Sequence, residues 1–284
     1  MKSLATLLVV AFLVASPAHG QSVRVATYNL NWGNRSGDQV LDAITTAKAD
    51  ILCLQETTVQ SEPFLNRHLA DRYPEFHSVG HNGQYAAERF VIASTIRLRD
   101  LAFHPPGRGL FGFYTALFRI GNRDVRLVNV HLTPLQMRSG GGFRDAMKAL
   151  STTEDVHAAE IEAIVKTVNA NQPTIVLGDF NSVSTFKAPK RLVQLGFVDS
   201  FASVTADADT HPTWYWPTRP LPLSLRIDYI FHSGHFQTTK SEIIRRDGSD
   251  HYMLVSELKL GEPIRAPEPR SGLGKMGTSS GAAR

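Results

Sequence analysis

The sequence predicts an α/β protein in which two β-sheets pack face to face with helices outside. Strand-like and helix-like patterns alternate along its length, the alternation starts again near Thr174, and no low-complexity linker separates the two halves. At 284 residues with 42% hydrophobic content, the chain can bury a full core, and a single domain over residues 21–260 is expected.

Val23 to Leu30 alternates as a strand, Asp38 to Ala47 carries helical spacing, and Ala49 to Gln55 is apolar enough for a strand buried on both faces. Glu62 to Arg72 is helical in pattern, and strands are expected over Glu88 to Thr95, Tyr114 to Ile120 and Val125 to Leu132. The longest helix is predicted from about Phe143 to Asn169, with Ala146, Leu150, His157, Ile161, Ile164, Val165 and Val168 forming its apolar stripe. A strand over Thr174 to Leu177 and a helix over Phe186 to Leu195 follow. Further strands are expected near Thr213 to Trp216, Arg226 to His232 and Tyr252 to Leu260.

The two ends differ from the middle. Lys2, the apolar run Leu4 to Val14 and the small residues around Ala18-His19-Gly20 make residues 1–20 an export signal, too short to span a bilayer. Export to a periplasm or to the outside, cleavage of that signal, no stable membrane span and a monomeric state are therefore expected. The lone Cys53 lies in Ile51-Leu52-Cys53-Leu54, so it reads as a small core residue and no internal disulfide is available. Residues 261–284 are rich in Gly, Pro, Ser and Ala and are expected to be disordered. One of the four net positive charges belongs to Lys2 and two to this tail, so residues 21–260 carry only one. Composition alone therefore gives no case for a polyanion partner.

Polar residues punctuate the apolar runs. Asn29 ends the first strand, Glu56 ends the second, His131 ends Val128-Asn129-Val130, and Asp179 with Asn181 follows Ile175-Val176-Leu177. Asp228 interrupts Arg226-Ile227-Tyr229-Ile230, and Asp250-His251 precedes the last strand. Any one of these serves equally well as a cap or turn residue. Their recurrence at strand ends points to a shared rim that suits a hard metal ion and a phosphate.

The segments Thr27-Tyr28-Asn29, Leu54-Gln55-Glu56, Asn129-Val130-His131-Leu132, Gly178-Asp179-Phe180-Asn181, Arg226-Ile227-Asp228-Tyr229-Ile230 and Ser249-Asp250-His251 together resemble the ordered motif series of the endonuclease/exonuclease/phosphatase superfamily, with its deoxyribonuclease-I-like fold. The resemblance implies a four-layer α/β sandwich, two mixed β-sheets flanked by helices, and Mg²⁺-dependent hydrolysis of phosphate esters, with Mn²⁺ or Ca²⁺ as alternatives. It implies Glu56 as principal metal ligand with Asn29 and Asp250 beside it, and Asp179 with Asn181 on the attacking water. It also implies His251 on the scissile phosphate with Asp228 as its partner. His131 resembles the general acid of the nuclease and some phosphodiesterase branches, and Tyr85-Ala86-Ala87-Glu88-Arg89 resembles the segment that supplies its acidic partner, Glu88; such a pair would raise the histidine pKa. Arg108, in Pro106-Gly107-Arg108-Gly109, matches a phosphate-contacting arginine of some relatives.

Other chemistries fit poorly. Adjacent Ser249, Asp250 and His251 cannot align as a hydrolase triad, and neither a Gly-x-Ser-x-Gly elbow nor a zinc-ligand spacing occurs. The expected activity is that of a phosphodiesterase, a nuclease acting on DNA or RNA in the first place, with a phosphomonoesterase or a sphingomyelin-type lipid phosphodiesterase on the same site as the alternative. A non-catalytic binding module is the alternative of another class. Trp214 and Trp216 suit base stacking, a lipid interface or the sandwich core, and the lack of a long apolar hairpin counts against the lipid.

Overall fold

The computed structural model describes residues 22–34, 36–80, 88–134, 143–216 and 223–261. The expected export signal and all of the expected disordered tail beyond Gly261 lie outside them, as do Tyr85 to Ala87. In chain order the elements are β1 (Ser22–Asn29), α1 (Gly37–Ala47), β2 (Ile51–Thr57), α2 (Ser61–Leu69), β3 (Glu75–Gly80), β4 (Arg89–Ser94), β5 (Arg99–His104), β6 (Phe113–Ile120), β7 (Arg123–His131) and α3 (Phe143–Val165). There follow β8 (Thr174–Asp179), α4 (Lys187–Gln194), β9 (Val198–Asp199), β10 (Trp214–Trp216), β11 (Leu223–Leu225), β12 (Asp228–His232), β13 (Phe236–Ile244) and β14 (Met253–Leu260).

Apolar side chains on both faces of a strand require cover on both sides. That requirement builds four layers. Cys53, Leu127, Ile175, Leu177 and Ile230 meet between the two sheets, and Cys53 is fully buried there. Leu52 and Leu54 face the other way against Ile44 of α1 and Leu65 of α2. Val128, Val176 and Phe231 pack under Ile161 and Ile164 of α3 and Leu192 of α4.

The first six-stranded sheet has the order β13-β14-β1-β2-β4-β3 and the second β5-β6-β7-β8-β12-β9. The restart near Thr174 is therefore not the boundary between sheets: the chain leaves the first sheet at β5 and returns to it for β13 and β14. There β14 closes the open flank of β1 as an antiparallel neighbour. The long helix stops at Val165, earlier than its apolar spacing suggests, in a turn held by Thr167 N–H donating to the Ile164 carbonyl. Asp228 does not interrupt its strand. It is the first residue of β12, which runs antiparallel to β8 and sets Asp228 opposite Asp179.

Candidate active site

Because β12 and β14 run against β8 and β1, the rim mixes the ends of some strands with the beginnings of others. Asn29, Glu56, His131 and Asp179 arrive at carboxyl ends; Asp228 and His251 arrive at or just before amino ends. Local backbone geometry aims several of them. Glu56 sits in a bulge of the β2–β4 pairing with φ of 54°, which turns its side chain out of the alternation that buries Leu54. Asn181 and Asn31 also adopt left-handed φ, a cost that side-chain-bearing residues meet mainly at functional turns. Gly178, with φ of 145°, lets β8 approach β7 so closely that a Cβ would lie 2.0 Å from the Val130 carbonyl oxygen.

Asn29 is the clasp of the site. Its Nδ2 donates to Glu56 Oε1 at 3.0 Å and to Asp179 Oδ2 at 2.9 Å, joining a carboxylate from each sheet. Directly behind, the buried Gln55 Nε2 donates to Asn129 Oδ1 at 2.6 Å, and Asn129 Nδ2 donates to the Leu54 carbonyl, so the sheets are held in register beneath the rim. The Trp32 N–H donates to Glu56 Oε2 at 3.0 Å. Asn181 N–H donates to Asp179 Oδ1 at 2.8 Å, and Asn181 Nδ2 donates to the Leu132 carbonyl.

His251 and Asp228 form the second group. Nδ1 of His251 lies 2.9 Å from Asp228 Oδ2, and Nε2 lies 3.7 Å from Asp179 Oδ2. Burial disfavours the imidazolium, but Asp228 and Asp179 outweigh it and raise the His251 pKa above its ordinary value. The Asp179 pKa is raised, chiefly by burial, with His251 opposing the shift. Asp228 is held in place by the buried Thr213 hydroxyl, which accepts the N–H groups of Ile227 and Asp228.

His131 departs from its expected chemistry. Neither ring nitrogen makes a hydrogen bond, the carboxylates nearest Nε2 are Glu56 and Asp179, both at 3.6 Å, and the ring stacks on Phe111 at 4.1 Å. Glu88 is buried at the entrance to β4 and does not pair with His131. Burial, and then the charge of His251, push the His131 pKa down to about 3, the reverse of what a carboxylate partner would produce. Arg108 also lies apart. It is exposed, and the carboxyl it helps to lower is Asp155 of α3. Asp250 shares the rim but neither carboxylate cluster: its Oδ1 accepts from Asn31 Nδ2 at 3.0 Å and its Oδ2 from the Trp214 indole at 3.1 Å.

Trp214 and Trp216 are not core residues. They stack on each other in the β10–β11 hairpin, Trp216 is 47% exposed, and Trp214 bridges to the backbone of His251. Sequence reasoning also missed a buried strap behind the site. His157 Nε2 donates to the Thr133 carbonyl at 2.6 Å and its Nδ1 accepts from Ser182 Oγ at 2.7 Å, which fixes the neutral tautomer and ties α3 to the exits of β7 and β8. Beside it, Glu160 accepts from the Thr133 hydroxyl at 2.8 Å, and burial raises its pKa to about 7. His157 was legible only as a member of the α3 apolar stripe.

The donor set fits a divalent cation. Glu56, His131 and Asp179 each offer an atom within 4.8 Å of the others, and the orphaned Nε2 of the buried His131, 3.6 Å from both carboxylates, is the ring nitrogen an ion there would satisfy. Asp179, Asp228 and His251 form a second such group.

Residues 26–251 match the Endonuclease/Exonuclease/phosphatase family, and the chain belongs to it. It is a hydrolase acting on phosphate ester bonds. The fold resembles that of an endonuclease/exonuclease/phosphatase from Beutenbergia cavernae, at 17% identity and a TM-score of 0.63 over 86% of this chain and 73% of that one. It equally resembles SmcL, at 16% identity and a TM-score of 0.63 over 84% and 99%, and the human nocturnin catalytic domain with bound sulfate, at 17% identity and a TM-score of 0.59 over 85% and 95%. No curated protein matches the chain in sequence.

Proposed function

We propose that the protein is an exported, Mg²⁺-dependent phosphodiesterase, a nuclease in its main activity, that hydrolyses phosphodiester bonds by in-line attack of water. The observation that carries this reading is the convergence of Glu56, Asp179 and His131 beside the Asp179, Asp228 and His251 group. Glu56 would hold the cation with Asp179 in reach; Asn29, expected as a ligand, turns Nδ2 to both carboxylates and Oδ1 to the Asn31 N–H and so positions them, and Asp250 supports through Asn31. When bound, the ion supplies Lewis-acid polarisation of the phosphoryl group and stabilises charge on the leaving oxygen. The carboxylate oxygens of Glu56 and Asp179 are the hard donors that Mg²⁺ prefers.

The remaining roles fall to the chain itself. Asp179, whose orientation is set by Asn29 and Asn181, accepts the proton of the attacking water. His251, charged through Asp228 on Nδ1, donates one hydrogen bond from Nε2 to a non-bridging phosphoryl oxygen. His131 enters as a neutral imidazole packed on Phe111, which supports a role in ligation or orientation more than proton donation.

The test is hydrolysis of plasmid DNA by the purified protein with Mg²⁺ and with EDTA. Asp179→Ala and His251→Ala are expected to lower the rate by roughly a hundredfold to ten-thousandfold with folding intact; full activity in both would end this reading. A second reading, a lipid phosphodiesterase on the same site, draws on the exposed Tyr215, Trp216 and Leu223 of the hairpin next to His251. Turnover of sphingomyelin vesicles in place of DNA would favour it.

A further inference from the structure

The side chain of Trp32 is 57% exposed, yet its backbone N–H is tied to Glu56 Oε2 at 3.0 Å, so the indole stands at a fixed remove from the carboxylate cluster. It walls an open groove of about 700 Å³ whose other lining includes Phe64, Asn34, Asp38, Thr58 and Gln60. At its inner end the groove meets a cavity of about 60 Å³ that Glu56 itself lines, so groove and site are continuous. Phe64 is brought to the groove because it packs over Gly37, where a Cβ would come within 2.8 Å of the ring.

The lining states what would bind. Among the described residues, Asp38 is the only charged group that lines the outer groove, and the rest of its lining is aromatic or neutral and polar. Asn34 Oδ1 and Thr58 Oγ1 already accept the Ser36 and Ser61 N–H groups, but an acyl chain would take water from the Gln60 amide and from Asn34 Nδ2 without replacing it, which is costly. A planar heterocycle with ring-edge donors and acceptors satisfies both the aromatic walls and the polar rim, and the groove falls in the size range of small-ligand clefts. We propose that the groove walled by Trp32 and Phe64 is a subsite for a nucleobase of the substrate, stacked on the Trp32 indole. The assignment rests on the phosphodiesterase reading above and narrows its substrate to nucleotide esters.

The probes are the p-nitrophenyl ester of thymidine 5′-monophosphate and methyl p-nitrophenyl phosphate, which has the same reacting group and no base. Thymidine 5′-monophosphate binding is measured by calorimetry in EDTA, independently of turnover. Trp32→Ala is expected to weaken that binding, and to raise KM for the nucleotide ester, by about tenfold, the loss of one base–aromatic stack. Its effect on the methyl ester should be several times smaller, and Trp32→Phe should recover most of the loss. Equal loss on both esters, no loss on either, or a loss confined to sphingomyelin vesicle binding would overturn the subsite. If the wild type hydrolyses neither ester but binds the monophosphate through Trp32, the activity reading falls and the subsite stands. If it hydrolyses both and Trp32→Ala does not distinguish them, the subsite falls and the activity reading stands; if it neither hydrolyses nor binds, both fall.

Discussion

His251 and His131 are both buried, and both hold Nε2 within 4 Å of the same oxygen, Asp179 Oδ2, at 3.7 and 3.6 Å. They nevertheless titrate in opposite directions. His251 has Asp228 at 2.9 Å on its other nitrogen; His131 has the Phe111 ring on its face and no hydrogen bond. Burial alone removes charge from an imidazole, and one hydrogen-bonded carboxylate restores it. The charge on His251 then lowers His131 further, which favours one cation and one neutral ring in the pair. The lesson is that two similar histidines are told apart by their carboxylate neighbours: His251 has the hydrogen-bonded Asp228 at the start of β12, with Asp179 and Asp250 adding to it, and His131 has no hydrogen-bonded carboxylate.

The sharpest way to break this contrast is Asp228→Asn, which removes the one carboxylate hydrogen-bonded to His251 and leaves it, like His131, with carboxylates only beyond hydrogen-bond distance. Hydrolysis should fall by roughly a hundredfold to ten-thousandfold, the range of general acid–base contributions. In the metal-free wild type at pH 7, ring-nitrogen NMR should report a protonated His251 and a neutral His131, and in the variant a His251 that loses its proton at lower pH than in the wild type. A wild-type rate with an unchanged His251 signal would refute the pairing.

A weaker effect is expected from the strap behind His131. His157→Leu removes both hydrogen bonds that hold the β7 and β8 exits, and kcat should drop by about tenfold with KM little altered, in line with losses seen when supporting partners of a site are removed. His157→Gln keeps a donor and an acceptor and should restore most of the rate; no rescue would mean that His157 serves only as packing.

Mg²⁺ binding sharpens the other side of the comparison, because a ligand held only by the folded state must stabilise it, by about 2.7 kcal/mol at a hundredfold excess over Kd. Glu56→Gln should abolish the Mg²⁺-dependent rise in Tm, and an undiminished rise would place the ion elsewhere. The smallest effect concerns Glu160, whose folded pKa is raised to about 7 from 4.5. Its protonated form favours folding, so the contribution is full below pH 4.5 and is lost as the pH rises through 7. Glu160→Gln should therefore raise Tm by roughly a few degrees at pH 8 and by little at pH 4, read by thermal melts.

Much of this was legible before any coordinates. The central strands β1, β2, β4, β7, β8, β12 and β14 are apolar on one or both faces and announce themselves by pattern. Besides the short β11, the strands that the pattern does not reveal, β3, β5, β9 and β13, are the edges of the two six-stranded sheets, where partly or fully exposed residues such as His77, Asp100 and Lys240 erase the periodicity. The site residues were readable as polar groups at apolar strand ends, and Asn29, Glu56, Asp179, Asn181, Asp228 and His251 do meet. The expected pairing of His131 with Glu88 did not hold, because sequence adjacency to a strand says nothing about which carboxylate faces a ring across two sheets.

By itself, the sequence determined which residues are buried and which polar groups stand at strand ends, because burial pattern and local spacing are properties of short segments. The protonation of the two histidines, the exposure of Trp32 and Trp216 and the outward turn of Glu56 were decided only by the tertiary structure. Each depends on contacts between segments far apart in the chain, and a difference of one hydrogen-bonded neighbour there reverses the electrostatic outcome.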